Sequence, residues 1–162
     1  MATTDLNWNT VKSWKINGKI SIVTPEQKGS GRFTYEENQQ SKIAQFNAAL
    51  GQGSWKIVES ENGAELFSSK AGTTKSSNLE ELILTEFGWD FPWNELSYWV
   101  RGYKESQPLT PHAKQIEPIS DLDWRIKFTK LMPTEIGSLP KSIQAQNPPY
   151  KIKLVIYDWE FE

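Results

Sequence analysis

Alternation of apolar and polar residues constrains the fold of this chain more than any other feature. In the stretch SWKINGKISIV every second residue is apolar or glycine, and the residues between them are polar. Residues i and i+2 of a strand point to the same side of a sheet, so this pattern predicts an antiparallel strand with one buried face. The face expected to be buried carries Trp14, Ile16, Gly18, Ile20 and Ile22. The stretch GRFTYEE repeats the pattern, with Phe33 and Tyr35 expected inside.

More strands follow on both sides of a helical middle. KIAQFNA, SWKIVES and AELFSS bring the number to five within the first 70 residues, joined by short turns, which predicts a meander. DWRIKFTKL and YKIKLVIYDWEF form strands near the end of the chain. The second half of the last strand is apolar on both faces, so we expect another element, such as a helix, to cover it. The stretches RGYKESQPLTPHAKQ and TEIGSLPKSIQAQNPPY are interpreted as proline-rich connections.

Two stretches in the middle have helical spacing. In NLEELILTEFG, Asn78 is placed to cap the helix start and Gly88 to end it. In PWNELSYWVRG, Pro92 suits the first turn and Gly102 the end. We therefore expect one domain over residues 1–162, mainly β with α, in which a curved antiparallel sheet carries two helices on its concave face.

The bulk properties exclude several classes of protein. The chain has 162 residues, a formal net charge of -2 and no cysteine. The charge argues against nucleic-acid binding driven by a basic surface, and the lack of cysteine excludes disulfides, thiolate catalysis and cysteine zinc sites. Mean hydropathy is -0.60, and no window has the roughly 18–20 apolar residues of a membrane helix. The start MATTDLNW lacks the pattern of a signal peptide.

Residues typical of catalysis are scarce. His112 is the only histidine, and its context LTPHAK predicts a surface loop. Asp121 and Asp123 stand just before a strand, where a turn is the expected role. A nucleophilic triad is therefore disfavoured and no metal site is expected. A hydrolase that uses two carboxylates stays open as an alternative.

Apolar residues remain as the candidate functional feature. The sheet and the helices could close on each other as a core, or leave a gap for an apolar ligand, and composition does not choose between these. The stretch NAALGQGSW raises a separate question, because a hairpin loop is normally polar. Leu50 stands there among residues too small to cover it.

The order of these features resembles the LolB family, the outer-membrane lipoprotein receptors of Gram-negative bacteria. The resemblance extends from Trp8 to Trp159. It is carried by NGKISI, GRFTY, NAALG, PWNELSYWVRG, DLDWRIKF, SLP and IKLVIYDW in this order. The family's loop often reads Pro-Leu-Gly, and Ala49 stands here in place of the proline.

The resemblance implies an unclosed antiparallel β-barrel with a helical lid over a hydrophobic cavity. It implies a receptor, not an enzyme, that needs no cofactor and accepts lipoproteins by their acyl chains from the carrier LolA. The receptor would insert them into the outer membrane from its periplasmic face. We expect a monomer, in a form without the family's anchor cysteine. The residues expected near the cavity are Ile16, Ile20, Phe33, Tyr35, Leu82, Trp99 and Trp124. The loop expected to contact the inner leaflet of the outer membrane carries Leu50, Ala49 and Gly51.

Three other functions stay open at this point. A LolA-like periplasmic carrier would share the half-barrel, and the absence of cysteine favours it. An unrelated lipid carrier or a small hydrolase could use the same pocket. The Leu50 loop and the WVRG helix end favour LolB over LolA.

Overall fold

The computed structural model describes residues 8–47, 53–69 and 72–162. Within these ranges the chain forms twelve strands, two α-helices and one short 3-10 helix, Trp8–Thr10. The helices are α1 (Leu79–Phe87) and α2 (Trp93–Val100). The strands are β1 (Ser13–Val23), β2 (Lys28–Asn38), β3 (Ser41–Asn47), β4 (Ser54–Ser60), β5 (Gly63–Ser68), β6 (Gly72–Ser76), β7 (Tyr103–Lys104), β8 (Gln107–Pro111), β9 (Ile119–Asp121), β10 (Trp124–Thr134), β11 (Gly137–Asn147) and β12 (Tyr150–Phe161).

Ten of the described strands form one antiparallel sheet. Its order is β6-β5-β4-β3-β2-β1-β12-β11-β10-β9, and β7 pairs with β8 separately. The chain thus builds two meanders, which join where the first and last long strands pair. The sheet does not close on itself, which confirms the predicted half-barrel. Burial alternates along β1 and β2 as their sequence pattern predicts.

Several hairpins lie at one end of the strands of the sheet, and we call this end the rim. In an antiparallel meander every second connection lies at the same end of the strands. The β9–β10 and β11–β12 hairpins lie at the rim, and β3 ends and β4 begins there, at Asn47 and Ser54. Any chemistry on these connections therefore shares one end of the half-barrel.

Both helices pack on the inward face of the sheet. The Asn78 side chain accepts a hydrogen bond from the Glu81 backbone N–H at 3.1 Å, and Gly88 ends α1 with φ of 81°, as predicted. In α2 the predicted start at Pro92 is confirmed. The apolar sides of the helices join the inward residues of the strands in one buried core.

The proline-rich connections contain more structure than the sequence predicts. β7 and β8 lie in the first, and the second contains the long strand β11. Pro140 has no N–H to donate, which argues against a strand. It is accommodated because the pairing of β10 with β11 is irregular around Lys130 and Leu131. The short strand β6 also went unpredicted, because GTTKS has no inward apolar residue.

The expectation that a helix covers the outer face of the last strand is wrong. Pairing of β1 with β12 shifts between Asn17 and Gly18, so Tyr157 has no partner in β1. Such a bulge reverses which side chains point inward. Tyr157 is 57% exposed, whereas Trp159 beyond it packs on Trp14 with ring centroids 5.3 Å apart. Ile152, Leu154 and Ile156 before the bulge and Trp159 and Phe161 after it therefore face the same core.

Candidate functional site

The seven residues predicted to lie near a cavity all lie in the core between sheet and helices. Their exposed fractions range from 0 to 6%. Trp99 and Trp124 are brought together, with centroids 5.7 Å apart, and so are Phe33 and Tyr35, at 6.5 Å. The two helices α1 and α2, which we call the lid, pack directly on the sheet. That these residues contact acyl chains stays a prediction.

A cavity of about 370 Å³ opens at the rim, and we call it the rim cavity. It lies between the two helices and the β9–β10 and β11–β12 hairpins. Its apolar lining is Ile83, Phe91, Trp93, Leu122 and Trp124. Its acidic lining is Glu80, Asp90, Glu95, Glu105 and Asp123, with no Lys or Arg among the described lining residues. The cavity is therefore lined by apolar and acidic side chains together, and Leu122 is the apolar lining residue with a largely exposed side chain.

One of these carboxylates titrates near neutral pH. Burial is the largest cause that raises the pKa of Glu95 to about 7, and the neighbouring carboxylates of Glu105 and Asp121 contribute to the same rise. The backbone hydrogen bond at Glu95 acts in the opposite direction. When the Glu95 carboxyl group is protonated, it can donate a hydrogen bond to a neighbouring carboxylate. When both groups are ionised, they repel each other.

Hydrogen bonds between side chains connect one side of α2 to the sheet. The Trp93 indole N–H donates to Glu59 Oε1 at 2.8 Å, and the Ser97 hydroxyl donates to Glu37 Oε1 at 2.8 Å. The Tyr35 hydroxyl donates to the same Glu37 oxygen at 2.7 Å. These bonds fix the position of this side of α2 on the sheet.

On the other side α2 is tied to β9 by a buried carboxylate. The Trp99 indole N–H donates to Asp121 Oδ2 at 2.9 Å. The backbone N–H groups of Glu105 and Ser106 donate to Asp121 at 2.7 and 3.2 Å. Burial alone would raise the pKa of Asp121, but these donors hold it below its ordinary value. Asp121 is at a turn, as predicted, but the sequence did not reveal its burial.

The end of α2 contacts an aromatic cluster at the start of the chain. The Arg101 guanidinium lies 5.6 Å from the ring centroids of both Trp8 and Trp14, and 4.9 Å from that of Tyr98. Its Nε donates to the Ser97 carbonyl oxygen at 2.9 Å. Cation–π contacts of this kind hold the short 3-10 helix against the lid.

The prediction that His112 is a surface residue is wrong, because its side chain is buried. The loop after β8 folds back, and the His112 backbone N–H donates to the Gly102 carbonyl oxygen. Gln115 Nε2 lies 3.0 Å from Nδ1 of the ring. Burial and Lys104 lower the pKa of His112, which favours the neutral ring. The other ring nitrogen, Nε2, is buried and has no hydrogen-bond partner among the described residues.

The residues predicted to contact the membrane, Leu50, Ala49 and Gly51, lie outside the described residues. The strand ends on either side, Asn47 and Ser54, lie at the rim. The membrane contact of the three predicted residues stays a prediction.

Sequence reasoning missed the carboxylates that hold the lid, although two of them left a signal. Glu37 follows Phe33 and Tyr35 in the inward phase of β2, and Glu59 follows Ile57 in the inward phase of β4. A charged residue at an inward position needs a partner. No comparable signal marks Asp121, whose environment depends on the turn before β8.

Two further classes of site have no support in residues 8–47, 53–69 and 72–162. No helix there is long and apolar enough to cross a bilayer. No group of three or more His, Cys, Asp or Glu residues there could hold a metal ion, and this includes the acidic lining of the rim cavity.

Comparison with known proteins identifies the family. The family model described as "Outer membrane lipoprotein LolB" matches residues 12–159. A protein named "Outer-membrane lipoprotein LolB" from Cellvibrio japonicus (strain Ueda107) is 31% identical over 161 residues, covering 93% of this chain and 78% of that protein. The protein of the same name from Marinomonas sp. (strain MWYL1) is 26% identical over 159 residues, covering 95% and 83%. The match spans both meanders and the lid, and the chain therefore belongs to the LolB family.

Proposed function

We propose that this protein is an outer-membrane lipoprotein receptor that accepts lipoproteins from LolA by their acyl chains. The chains enter between the sheet and the α1–α2 lid, and the receptor then inserts the lipoprotein into the inner leaflet of the outer membrane. It works as a monomer at the periplasmic face of that membrane. LolB is a family of lipoproteins that handle other lipoproteins, not a family of enzymes.

The observation that carries the proposal is an apolar lid on an apolar, unclosed sheet. Because the sheet has two free edges, the lid can move away without breaking a closed barrel. Leu82 of α1 and Trp99 of α2 face the strand residues predicted to meet the acyl chains. An acyl chain could replace the lid as the apolar partner of these strand residues. The free energy lost when the lid separates from the sheet would then be largely recovered.

The rim provides the place of entry and release. Trp124 lines the rim cavity. The strands on either side of the Leu50 loop, β3 and β4, end and begin at the same rim. An apolar loop tip there would bring the cavity entrance to the bilayer. Cargo would therefore leave where it meets hydrocarbon.

Binding of a fluorescent fatty acid tests the acyl-chain site. The core contains many tryptophans, including Trp14, Trp93, Trp99 and Trp124. We expect saturable binding with quenching of tryptophan emission. Absence of saturable binding would mean that the interior is a packed core only, and would refute the proposal.

Transfer of cargo tests the partner and the direction. LolA loaded with a lipoprotein is mixed with this protein, and cross-linking and fractionation follow the cargo. We expect the cargo to move to this protein. Stable movement in the opposite direction would identify a LolA-like carrier, and the family match favours the receptor.

A further inference from the structure

Leu122 has an unusual backbone conformation. It is the one non-glycine residue with positive φ, 56°, among the described residues. Asp121 pairs with Trp124, so Leu122 and Asp123 form a two-residue hairpin loop. Such loops prefer Gly, Asn or Asp, because a larger side chain is strained in the left-handed region. Leucine is therefore an unfavourable choice for the turn itself.

Packing does not compensate for this strain. Leu122 is 67% exposed, whereas Asp121 and Trp124 on either side of the loop are buried. With asparagine or glycine in place of Leu122, Asp121 and Trp124 would keep their buried positions. The leucine side chain is therefore not explained by the stability of the core, and strain of this kind occurs often at functional sites.

The side chain lies where an acyl chain would pass. Leu122 lines the rim cavity together with Trp124, and Ile83 and Phe91 line it from the lid side. The carboxylates of Asp90, Glu95 and Asp123 stand around the same opening. Without Leu122, the hairpin side of the entrance would present Asp123 to the ligand. An apolar chain gains nothing from a carboxylate and is stabilised by leucine.

Charge distinguishes cargo from bilayer as the ligand. The acidic residues around Leu122 would make insertion of this hairpin into hydrocarbon unfavourable, even when the Leu50 loop of the same rim touches the bilayer. An acyl chain has no charge and meets only the apolar side chain. The acidic surroundings thus favour a contact with the chain in transit over insertion of the hairpin into the bilayer.

We propose that Leu122 is a lipid-contact residue at the entrance, which holds the acyl chain between the rim and the lid during its passage. This inference rests on the proposed function and adds a residue to its path. Leu122 and Trp124 form the hairpin side of the entrance, and Ile83 and Phe91 form the lid side. The contact acts on the rate of entry and exit more than on the final affinity, because the bound chain lies deeper.

Leu122→Asn tests the inference, since asparagine tolerates positive φ. Association of a fluorescent fatty acid is followed by tryptophan quenching in a stopped-flow instrument. We expect the association rate to fall about fivefold, as the loss of part of a leucine contact implies. The thermal midpoint should stay the same or rise. Leu122→Gly, which removes the side chain entirely, should give the same fall in rate.

Leu131→Asn is the matched control. Leu131 is 37% exposed and lies in β10, seven residues after Trp124 and away from the rim. This variant should associate with the probe at the wild-type rate. An equal loss in the control would assign the effect to general surface polarity and overturn the inference.

Two further outcomes separate the inference from the function. If wild-type protein binds the probe and Leu122→Asn matches its rates, the inference is wrong and the proposed function stands. If probe entry is normal but delivery to liposomes fails, the hairpin acts on the bilayer, and the inference is again overturned. If wild-type protein binds no probe, the proposed function itself fails, and the inference with it.

Discussion

The indole N–H of Trp99 donates to Asp121 across the interface between α2 and β9, and neither side chain has any exposed surface. Asp121 thereby joins three elements, because it also accepts from the backbone of the turn at Glu105 and Ser106. A buried carboxylate with several N–H donors is stabilised as an anion. The lid is therefore anchored on this side by a charged group inside an apolar core.

Asp121→Asn should lower the free energy of unfolding by about 2–3 kcal/mol, because the amide NH₂ would meet N–H donors. Urea denaturation measures the change. Asp121 has a lowered pKa, so its stabilisation is present above the pKa of unfolded aspartate and is lost as pH falls through the folded value. The difference between variant and wild type should thus shrink below about pH 4. Asp123→Asn in the same hairpin should have little effect, and an equal loss there would contradict the argument.

Ser97→Ala should loosen the other side of the lid. It removes the hydroxyl that donates from α2 to Glu37, a bond worth about 1 kcal/mol. We expect the fatty-acid probe to associate about fivefold faster, since 1 kcal/mol changes an equilibrium by about that factor. Stopped-flow quenching measures the rate.

Thr129→Ala is the control for this change. It removes the hydrogen bond from the Thr129 hydroxyl to the Ser142 carbonyl oxygen, which joins β10 to β11 and does not involve α2. The rate should therefore match wild type. If both variants accelerate entry equally, the Ser97 bond is not specific to lid opening.

Glu95→Gln should change how stability depends on pH. The folded pKa is raised from 4.5 to about 7, so the folded state binds more protons than the unfolded state between these values. Stability from this group therefore falls as pH rises from about 4.5 to about 7. Because Glu95 is only partly buried, we expect the variant to be more stable by about 1–2 kcal/mol at pH 8 and equal at pH 4. Urea titrations across this range measure the difference, with exposed Glu81→Gln as a control that should show no such dependence.

Gly18→Ala should destabilise the junction of the two meanders. A Cβ there would overlap the Val155 carbonyl oxygen and lie 3.1 Å from Ile156 Cα. Both atoms are backbone of β12, so relief requires a shift of the central strand pair, and we expect a loss of about 3 kcal/mol. Thermal and urea unfolding measure this. Ser21→Ala, at an outward position of β1, should be nearly neutral, and a neutral Gly18→Ala would show that the pair adjusts freely.

Leu50→Glu should separate acceptance of cargo from its delivery. Burying one leucine in hydrocarbon gains at most about 1.5–3 kcal/mol, enough for a brief contact with a bilayer. The variant should keep its stability and accept lipoprotein from LolA, whereas delivery to liposomes fails. Leu50→Met, which keeps an apolar tip, should deliver at the normal rate. Normal delivery by the glutamate variant would make the loop a plain hairpin.

Much of the fold could be predicted because its elements depend on local pattern. Strands β1 and β2 alternate without interruption, and α1 has both its cap residues, Asn78 and Gly88. Strand β11 escaped prediction because Pro140 breaks the expected pattern, and only its pairing with β10 makes the strand possible. The inward direction of the Trp159 side chain could not be predicted for a related reason. It depends on the bulge at Tyr157, and this bulge depends on the pairing with β1.

The candidate site was predictable in its apolar part only. Apolar residues reveal their burial by periodicity, so the core positions of Ile16 and Trp99 follow from spacing. The partners of Glu37 and Asp121 come from elements far away in the chain, and no local pattern specifies them. The strain at Leu122 is visible only in its positive backbone φ angle, which the sequence does not reveal.

The open sheet ends in two short edge strands, β6 of five residues and β9 of three, and β9 pairs with only the first three residues of β10. A free edge offers unpaired N–H and C=O groups to any other chain, and long edges invite aggregation. β6 also carries Lys75, which lies 3.3 Å from Glu65, and such edge charges oppose the addition of another strand. Under the proposed function the sheet must stay unclosed to admit acyl chains, and short or charged edges oppose its edge-to-edge polymerisation. Replacing the edge strands by longer, uncharged ones would be expected to favour fibres at the expense of transfer.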